Sequence, residues 1–315
     1  LSTKSSVLSI LQCQTDYISG TTLSHQLDVT RNTIWKAIQA LKQEGYIIDT
    51  NAKGYKLTVT PTQLNQTLIQ AAFPQGDMFT YDSITSTNSQ AKQYADTLKK
   101  DFAVFIANEQ TMGKGRFGRP FYSPKQSGLY MSLLYPSKDI QTYLHLVTPL
   151  TAIAVLKAIK TVTGITPSIK WVNDLFYHQK KITGILTEAI TNIETGQVEH
   201  IIIGIGINLY KPTDLPNELK HIFGYISDTP INVNALVIAI IDNILTLLAQ
   251  LPNTSFLEDY KKHCFILGKN ITVYPTQQTH YTAKAIDIDD NGQLIIQTDD
   301  TQLHTLQFGE ISIRF

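Results

Sequence analysis

Seven residues, Gly113-Lys114-Gly115-Arg116-Phe117-Gly118-Arg119, constrain this chain more than any other stretch. Three glycines and three cations in so short a run suit neither a helix interior nor a strand interior. Gly113, Gly115 and Gly118 let the backbone come close to a ligand, while Lys114, Arg116 and Arg119 put positive charge on the same segment. Ordering such a loop costs chain entropy and buries nothing. An anion offsets that cost, because backbone N–H groups and a guanidinium fork suit phosphate or carboxylate oxygens. A basic surface turn is the plainer alternative. The letters also spell G-x-G-x-x-G, but that fingerprint needs a helix straight after its glycines. Here Pro120-Phe121-Tyr122-Ser123-Pro124 follows, and the P-loop pattern is absent.

A chain of 315 residues has room for two or three domains. Its formal net charge of zero gives no global attraction to nucleic acid or acidic lipid, so any DNA contact must come from a local patch. Cys13 and Cys264 are far apart, giving neither a disulfide framework nor a metal knuckle, and both read as buried thiols in a reducing compartment. The apolar run Ala235–Ile241 is interrupted by Asp242-Asn243, short of the ~18 residues of a span. The amino terminus as given shows no basic-then-apolar leader. The expectation is a cytoplasmic protein with no membrane partner.

Val7, Leu8, Ile10 and Leu11 predict a short first helix. Thr21 and Thr22 open a second, on which Leu23 and Leu27 share one face. Asp28 stands where a tight turn needs left-handed backbone, Val29 is its buried residue, and Thr30 suits an N-cap. Ile34, Ala37, Ile38 and Leu41 then form an inward stripe that leaves Arg31, Asn32, Thr33, Trp35 and Lys36 outside. Gly45 ends that helix, and two strands follow around a turn carrying Lys53. This is a winged helix-turn-helix pattern, with the helix-turn-helix at about residues 20–39. A helical dimerisation module is the competing reading. Residues 1–60 hold six Lys/Arg and four Asp/Glu, a mild excess, but Arg31, Lys36, Lys53 and Lys56 fall on the predicted helix and wing.

Beyond a polar linker containing Pro61, Phe79–Ile84 reads as a strand and Ser89–Lys99 as a helix, with Ser86, Thr87 and Asn88 at its start. Those three suit capping as well as ligand binding. Phe102–Asn108 is a buried strand that delivers the glycine-basic loop; Gly128–Tyr135 is another, and Leu144–Lys160 a largely buried helix. Lys170, Trp171, Asn173 and Asp174 stand ahead of a hairpin whose return strand Lys181 opens, a grouping that packing does not explain. In the apolar run Ile201–Leu209, Gly204 and Gly206 leave room beside the backbone, for a ligand or for close strand packing.

Taken together, Ser86-Thr87-Asn88, Gly113–Arg119, Lys170-Trp171-Val172-Asn173-Asp174, Lys181-Ile182-Thr183-Gly184-Ile185-Leu186 and Gly204-Ile205-Gly206-Ile207-Asn208 resemble, in order, the motifs of bacterial biotin protein ligases of the bifunctional kind, which also repress the biotin operon. The resemblance runs over essentially the whole chain. It implies an α+β architecture: a winged helix-turn-helix over 1–60, a class II synthetase-like mixed-sheet ligase domain over 61–267, and a small SH3-like barrel over 268–315. Lys114 stands where arginine is common, Val172 where proline is usual, and Tyr225 where an aromatic, often Trp, stacks on adenine.

The implied chemistry joins biotin and ATP into biotinyl-5′-adenylate, which a lysine of a biotin carboxyl carrier protein then attacks. By this resemblance Ser86, Thr87, Asn88, Gln110, Gly113, Lys114, Gly115, Arg116, Lys181, Gly184, Leu186, Gly204 and Gly206 hold biotin. Arg116, Arg119, Lys170, Trp171, Asn173, Lys181, Asn208 and Tyr225 hold ATP or the adenylate. Arg116, Lys181 and Lys114 offset the repulsion of two anions, and Asp174 accepts a proton from, or orients, the incoming lysine. Mg2+ is implied on the triphosphate, without a dedicated protein cage. The adenylate is also the implied corepressor: it orders the glycine-rich loop and favours a homodimer on two-part operator DNA. Thr21, Thr22, Arg31, Asn32, Thr33, Trp35, Lys36 and Lys53 are the expected DNA contacts.

Strands are expected at Asn270–Tyr274, Tyr281–Asp287, Gln293–Gln297 and Gln302–Leu306. Asp287, Asp289 and Asp290 lack EF-hand spacing and read as a solvated turn. The competing functions are a ligase that has lost operator binding, a lipoate-type ligase, and a regulator that senses a small acid without catalysis.

Overall fold

Capping side chains lay out the amino-terminal helices. The computed structural model describes residues 2–43, 46–59, 64–229, 231–274, 279–307 and 310–312. The expected helix end at Gly45 and the linker proline Pro61 lie outside them. Helices α1 (Thr3–Cys13), α2 (Gly20–Leu27) and α3 (Arg31–Gln43) start at Ser2, Ser19 and Thr30. Each cap hydroxyl accepts an N–H from three residues on, at 3.2, 3.0 and 3.2 Å. Asp28 closes α2 in the left-handed region, at φ 48° and ψ 51°, as its place in the turn demands. Val7, Leu8, Leu11, Leu23, Ile34, Ile38 and Leu41 meet in one buried cluster. Arg31, Asn32, Trp35 and Lys36 stay exposed on α3, and Thr33 is half-buried.

The wing is the antiparallel pair β1 (Ile47–Asn51) and β2 (Gly54–Val59), with exposed Lys53 at its tip. Gly54 has φ 128°, and a Cβ there would overlap the Ile18 carbonyl, so only glycine lets the wing lie against the Ile18–Tyr55 bridge.

The central unit runs through α4 (Gln66–Ala72), β3 (Gly76–Tyr81), α5 (Thr87–Tyr94), β4 (Phe102–Ala107), β5 (Gly128–Pro136), α6 (Val147–Thr163), β6 (Ser168–Lys170), β7 (Asp174–Tyr177), β8 (Lys180–Thr191), β9 (Val198–Asn208), α7 (Val233–Gln250) and α8 (Phe256–His263). Its seven-stranded sheet has the order β3-β4-β5-β9-β8-β7-β6. β3 and β4 run parallel and the remaining neighbours antiparallel, a mixed sheet as expected. Residues of α6 and α7 such as Leu150, Ile153, Ile240 and Ile244 share a core with Ile203, Ile205 and Ile207 of β9. On the opposite side, Ala91 of α5 clusters with Phe105, Leu134 and Ile202.

Several boundaries differ from expectation. The strand expected over Phe79–Ile84 is β3 at Gly76–Tyr81, because Ile84 turns away to make a single bridge with Gln110. The helix expected from Ser89 starts at Thr87 under a Ser86 cap and ends at Tyr94, followed by a 3-10 turn over Ala95–Thr97. Lys170 and Asp174 do not precede a strand but pair with each other across β6 and β7. Lys138–Thr163 and Val233–Gln250 are long and apolar enough to cross a membrane, yet their apolar residues are spent on this core.

After α8, β10 (Asn270–Tyr274), β11 (Tyr281–Ile288), β12 (Leu294–Gln297), β13 (Leu303–Leu306) and β14 (Glu310–Ser312) form a five-stranded antiparallel sheet, ordered β13-β12-β11-β10-β14. The Asp289 carboxylate accepts the N–H groups of Asn291 and Gln293 at 3.0 and 2.8 Å, so it serves the turn. Ile271, Val273, Ala285 and Ile296 join the same core as α6 and α7.

The two cysteines differ, against the expectation that both are buried: Cys13 is exposed and Cys264 buried. Burial pushes the Cys264 thiol up to about 12. Its neutrality stabilises the fold below the thiol's ordinary range, and that contribution is lost as pH rises toward 12. In a native thiol titration at pH 8, one of the two cysteines should react, and both after denaturation. Two fast-reacting native thiols would contradict this packing.

Candidate active site

A trough in the central sheet arises where side chains are missing. Across β8 and β9, Gly184 pairs with Gly206 and Leu186 with Gly204. A Cβ on Gly206 would overlap the Phe121 ring, one on Gly184 would sit 2.9 Å from the same ring, and one on Gly204 would overlap the Asn88 amide. Phe121 and Asn88 therefore occupy the space those glycines leave.

A bulge aims the lysine. Leu175 pairs with Thr183 but Phe176 pairs with Lys181, so β8 carries one extra residue. The bulge reverses the side-chain alternation, and Lys181 and Gly184 both line the cavity. Lys181 Nζ lies 2.7 Å from Asp174 Oδ1, with 27% and 18% of the two side chains exposed.

The Trp171–Asp174 turn is held from several directions. Trp171 is buried, and its Nε1–H donates to the carbonyl of Gly292, in the turn between β11 and β12, at 3.0 Å. Tyr260 of α8 donates its hydroxyl to the Val172 carbonyl at 3.0 Å. Burial holds that phenol well above its ordinary range, so it stays a donor. Asn173 Nδ2 donates to the Ile185 carbonyl at 2.9 Å, and Arg116 donates to Asn173 Oδ1 at 3.2 Å. The Trp171–Val172 peptide is cis.

The glycine-basic loop folds back on itself. Gly115 N–H donates to the Arg119 carbonyl at 2.7 Å, Lys114 bridges Pro120, and Phe117 takes φ 57°. The Arg116 guanidinium lies 5.1 Å from the Phe117 ring centre.

These elements enclose a cavity of about 220 Å³. Of the expected residues it is lined by Ser86, Thr87, Asn88, Gln110, Lys114, Gly115, Arg116, Arg119, Lys170, Trp171, Asn173, Asp174, Lys181, Gly184, Leu186, Gly204 and Gly206. Five of them are cationic and one is a carboxylate, so the lining favours an anion. Gly113, Asn208 and Tyr225 are not among its lining residues. Gly113 packs against Phe121 and Ser123, and Asn208 Nδ2 donates to the carbonyls of Lys181 and Gly224 at 3.2 and 2.9 Å. The Asp228 carboxylate, hydrogen-bonded to the Tyr225 hydroxyl, raises its pKa. Sequence reasoning missed Phe121, whose only signal was an aromatic just after the loop, and Ile311 of β14, which lines the cavity with no local signal. Among the described residues no three His, Cys, Asp or Glu side chains gather to hold a metal.

A cationic cavity that is also lined by hydroxyl and amide side chains, on a mixed sheet in a chain that carries a winged helix, suits a ligase that binds anionic substrates. Residues 80–208 match the biotin/lipoate A/B protein ligase family, residues 3–56 an HTH domain, and residues 266–314 the biotin protein ligase C-terminal domain. The chain is 32% identical over 308 residues to the bifunctional ligase/repressor BirA of Bacillus subtilis (strain 168), covering 92% of each. It is 31% identical over 195 residues to the protein of that name from Escherichia coli (strain K12), covering 62% of this chain and 60% of that one. The structure of a biotin protein ligase from Aquifex aeolicus in complex with biotin and ATP matches with a TM-score of 0.63 at 25% identity, covering 76% of this chain and 98% of that one. The chain belongs to the bifunctional ligase/repressor family of biotin protein ligases.

Gly206→Ala should drive the Phe121 ring out of the trough and cost about 1–3 kcal/mol, read by urea denaturation. Unchanged stability would mean that the ring is not seated there.

Proposed function

We propose that this chain makes biotinyl-5′-adenylate from biotin and ATP, passes the biotinyl group to a lysine of a carboxyl carrier protein, and represses transcription while holding the adenylate. The carrying observation is that five cations and the Ser86–Asn88 pocket line one cavity. In the first step a carboxylate oxygen bonds to the α-phosphorus and the bond to pyrophosphate breaks. Two unit charges about 4 Å apart repel by about 4 kcal/mol at an effective dielectric of about 20. Arg116, Lys114 and Lys181 offset that repulsion, Asn173 steadies Arg116, and Arg119 and Lys170 take the remaining phosphate charge. In the second step the carrier lysine's nitrogen attacks the biotinyl carbonyl, AMP leaves, and Asp174 orients the amine or accepts its proton. No acyl-enzyme is expected, since no Ser or Cys in the cavity sits beside a base.

Ser86, Thr87, Asn88 and Gln110 favour a ureido ring, which offers donors and an acceptor, over a lipoyl dithiolane, which offers neither. Magnesium would arrive on the triphosphate. The one lining carboxylate is paired with Lys181 among five cations, so these residues build no site for a bare cation and no step is assigned to it. The division at about residues 60 and 267, the cytoplasmic setting, the adenylate-driven homodimer and the operator contacts of α3 and Lys53 belong to the same proposal.

Biotin-dependent ATP–pyrophosphate exchange tests the enzyme, and its absence would leave a sensor. Binding to the upstream DNA of the chain's own biotin genes tests the repressor. Tight binding is expected with biotin plus ATP or with preformed adenylate, and not without ligand. Asp174→Asn should slow single-turnover transfer more than exchange, and equal slowing would remove the assigned role.

A further inference from the structure

The polar pocket around Asn88 is hydrogen-bonded to side chains outside the cavity lining. Asn88 Nδ2 donates to Glu188 Oε2 at 2.6 Å. Its Oδ1 accepts from Ser132 Oγ at 2.5 Å, and Ser132 Oγ also lies 2.7 Å from Thr87 Oγ1. Thr87 N–H donates to Gln110 Oε1 at 2.8 Å, and Gln110 Nε2 donates to Ser123 Oγ at 3.1 Å. Thr87 and Ser132 are buried, whereas Glu188 is exposed. Gly204 leaves the room in which the Asn88 amide lies.

A proton inventory fixes the direction of this chain. A carboxylate only accepts, so it draws the Asn88 NH2 group and turns Oδ1 toward Ser132. The Ser132 hydroxyl has one proton, and Asn88 Oδ1 takes it. The Thr87 hydroxyl then has two acceptors for its single proton, Ser132 Oγ at 2.7 Å and Gln110 Oε1 at 3.1 Å, and with either one its oxygen is left an acceptor. Flipping the Asn88 amide would set its oxygen against the Glu188 carboxylate and turn its NH2 group toward Ser132.

We propose that Glu188, by accepting from the Asn88 NH2 group, fixes the orientation of the Asn88 amide against Ser132 and so holds the Thr87–Asn88 end of this pocket in place for a ligand such as one carrying a ureido ring. Glu188 is thus a positioning residue for the ligand's recognition end. The proposal rests on the ligase reading for the identity of that ligand.

The test compares Glu188→Ala with Glu188→Gln, whose amide oxygen can still accept, by biotin-dependent exchange, thermal unfolding and calorimetric titration with biotin alone. Glu188→Ala should raise the KM and the Kd for biotin about tenfold, with kcat and Tm unchanged. Glu188→Gln should bring both constants back near wild type. An unchanged KM and Kd in Glu188→Ala, a loss of kcat that follows Tm, or a glutamine variant as weak as alanine would each overturn the proposal. Wild-type protein that binds biotin without exchange would sink the ligase reading while the Kd comparison still decides the role of Glu188. Wild-type protein that binds no biotin would overturn both.

Discussion

Everything at this site depends on two antiparallel strands meeting with almost no side chains between them and the cavity. Gly184 faces Gly206 and Gly204 faces Leu186. Isoleucines at 182, 203, 205 and 207 hold the same strands to the helical core. Close packing forbids an empty trough in a folded sheet. Phe121 fills it from the loop side and Asn88 from α5, and each thereby acquires a fixed position. The glycines act less through backbone freedom than by letting other groups approach.

Charge is then arranged around that trough by elements distant in sequence. The glycine-basic loop, Lys170 at the end of β6, the Trp171–Asp174 turn and Lys181 contribute the five cations and the single carboxylate. Beside the Lys181–Asp174 ion pair, uncharged bonds help to fix this geometry. Tyr260, Asn173 and Gly292 hold the turn through three such bonds.

The sequence made local features legible and long-range ones opaque. The winged helix could be read almost to the residue, because Thr30, Asp28 and the Ile34–Leu41 stripe act through neighbours within one or two turns. The motif residues of the cavity were legible as types out of place in strands. What they would touch was not: Asn208 bonds backbone carbonyls at the end of β9, and Tyr225 pairs with Asp228 outside the cavity lining. Ile311 and Glu188 gave no signal, since an apolar strand residue and an exposed acid look ordinary until the sheets assemble. The reversal of alternation at Lys181 needed the partner strand to be seen at all.

The chain has two tryptophans, and the fold sends them to opposite environments. Trp35 stands 52% exposed on α3, whereas Trp171 is 3% exposed against the cavity and the carboxy-terminal sheet. An indole in water emits at longer wavelength than one in a dry interior, so the molecule's own fluorescence carries two spectrally separable channels. The red component listens at α3 and the blue one at the Trp171–Asp174 turn, with no label added to either.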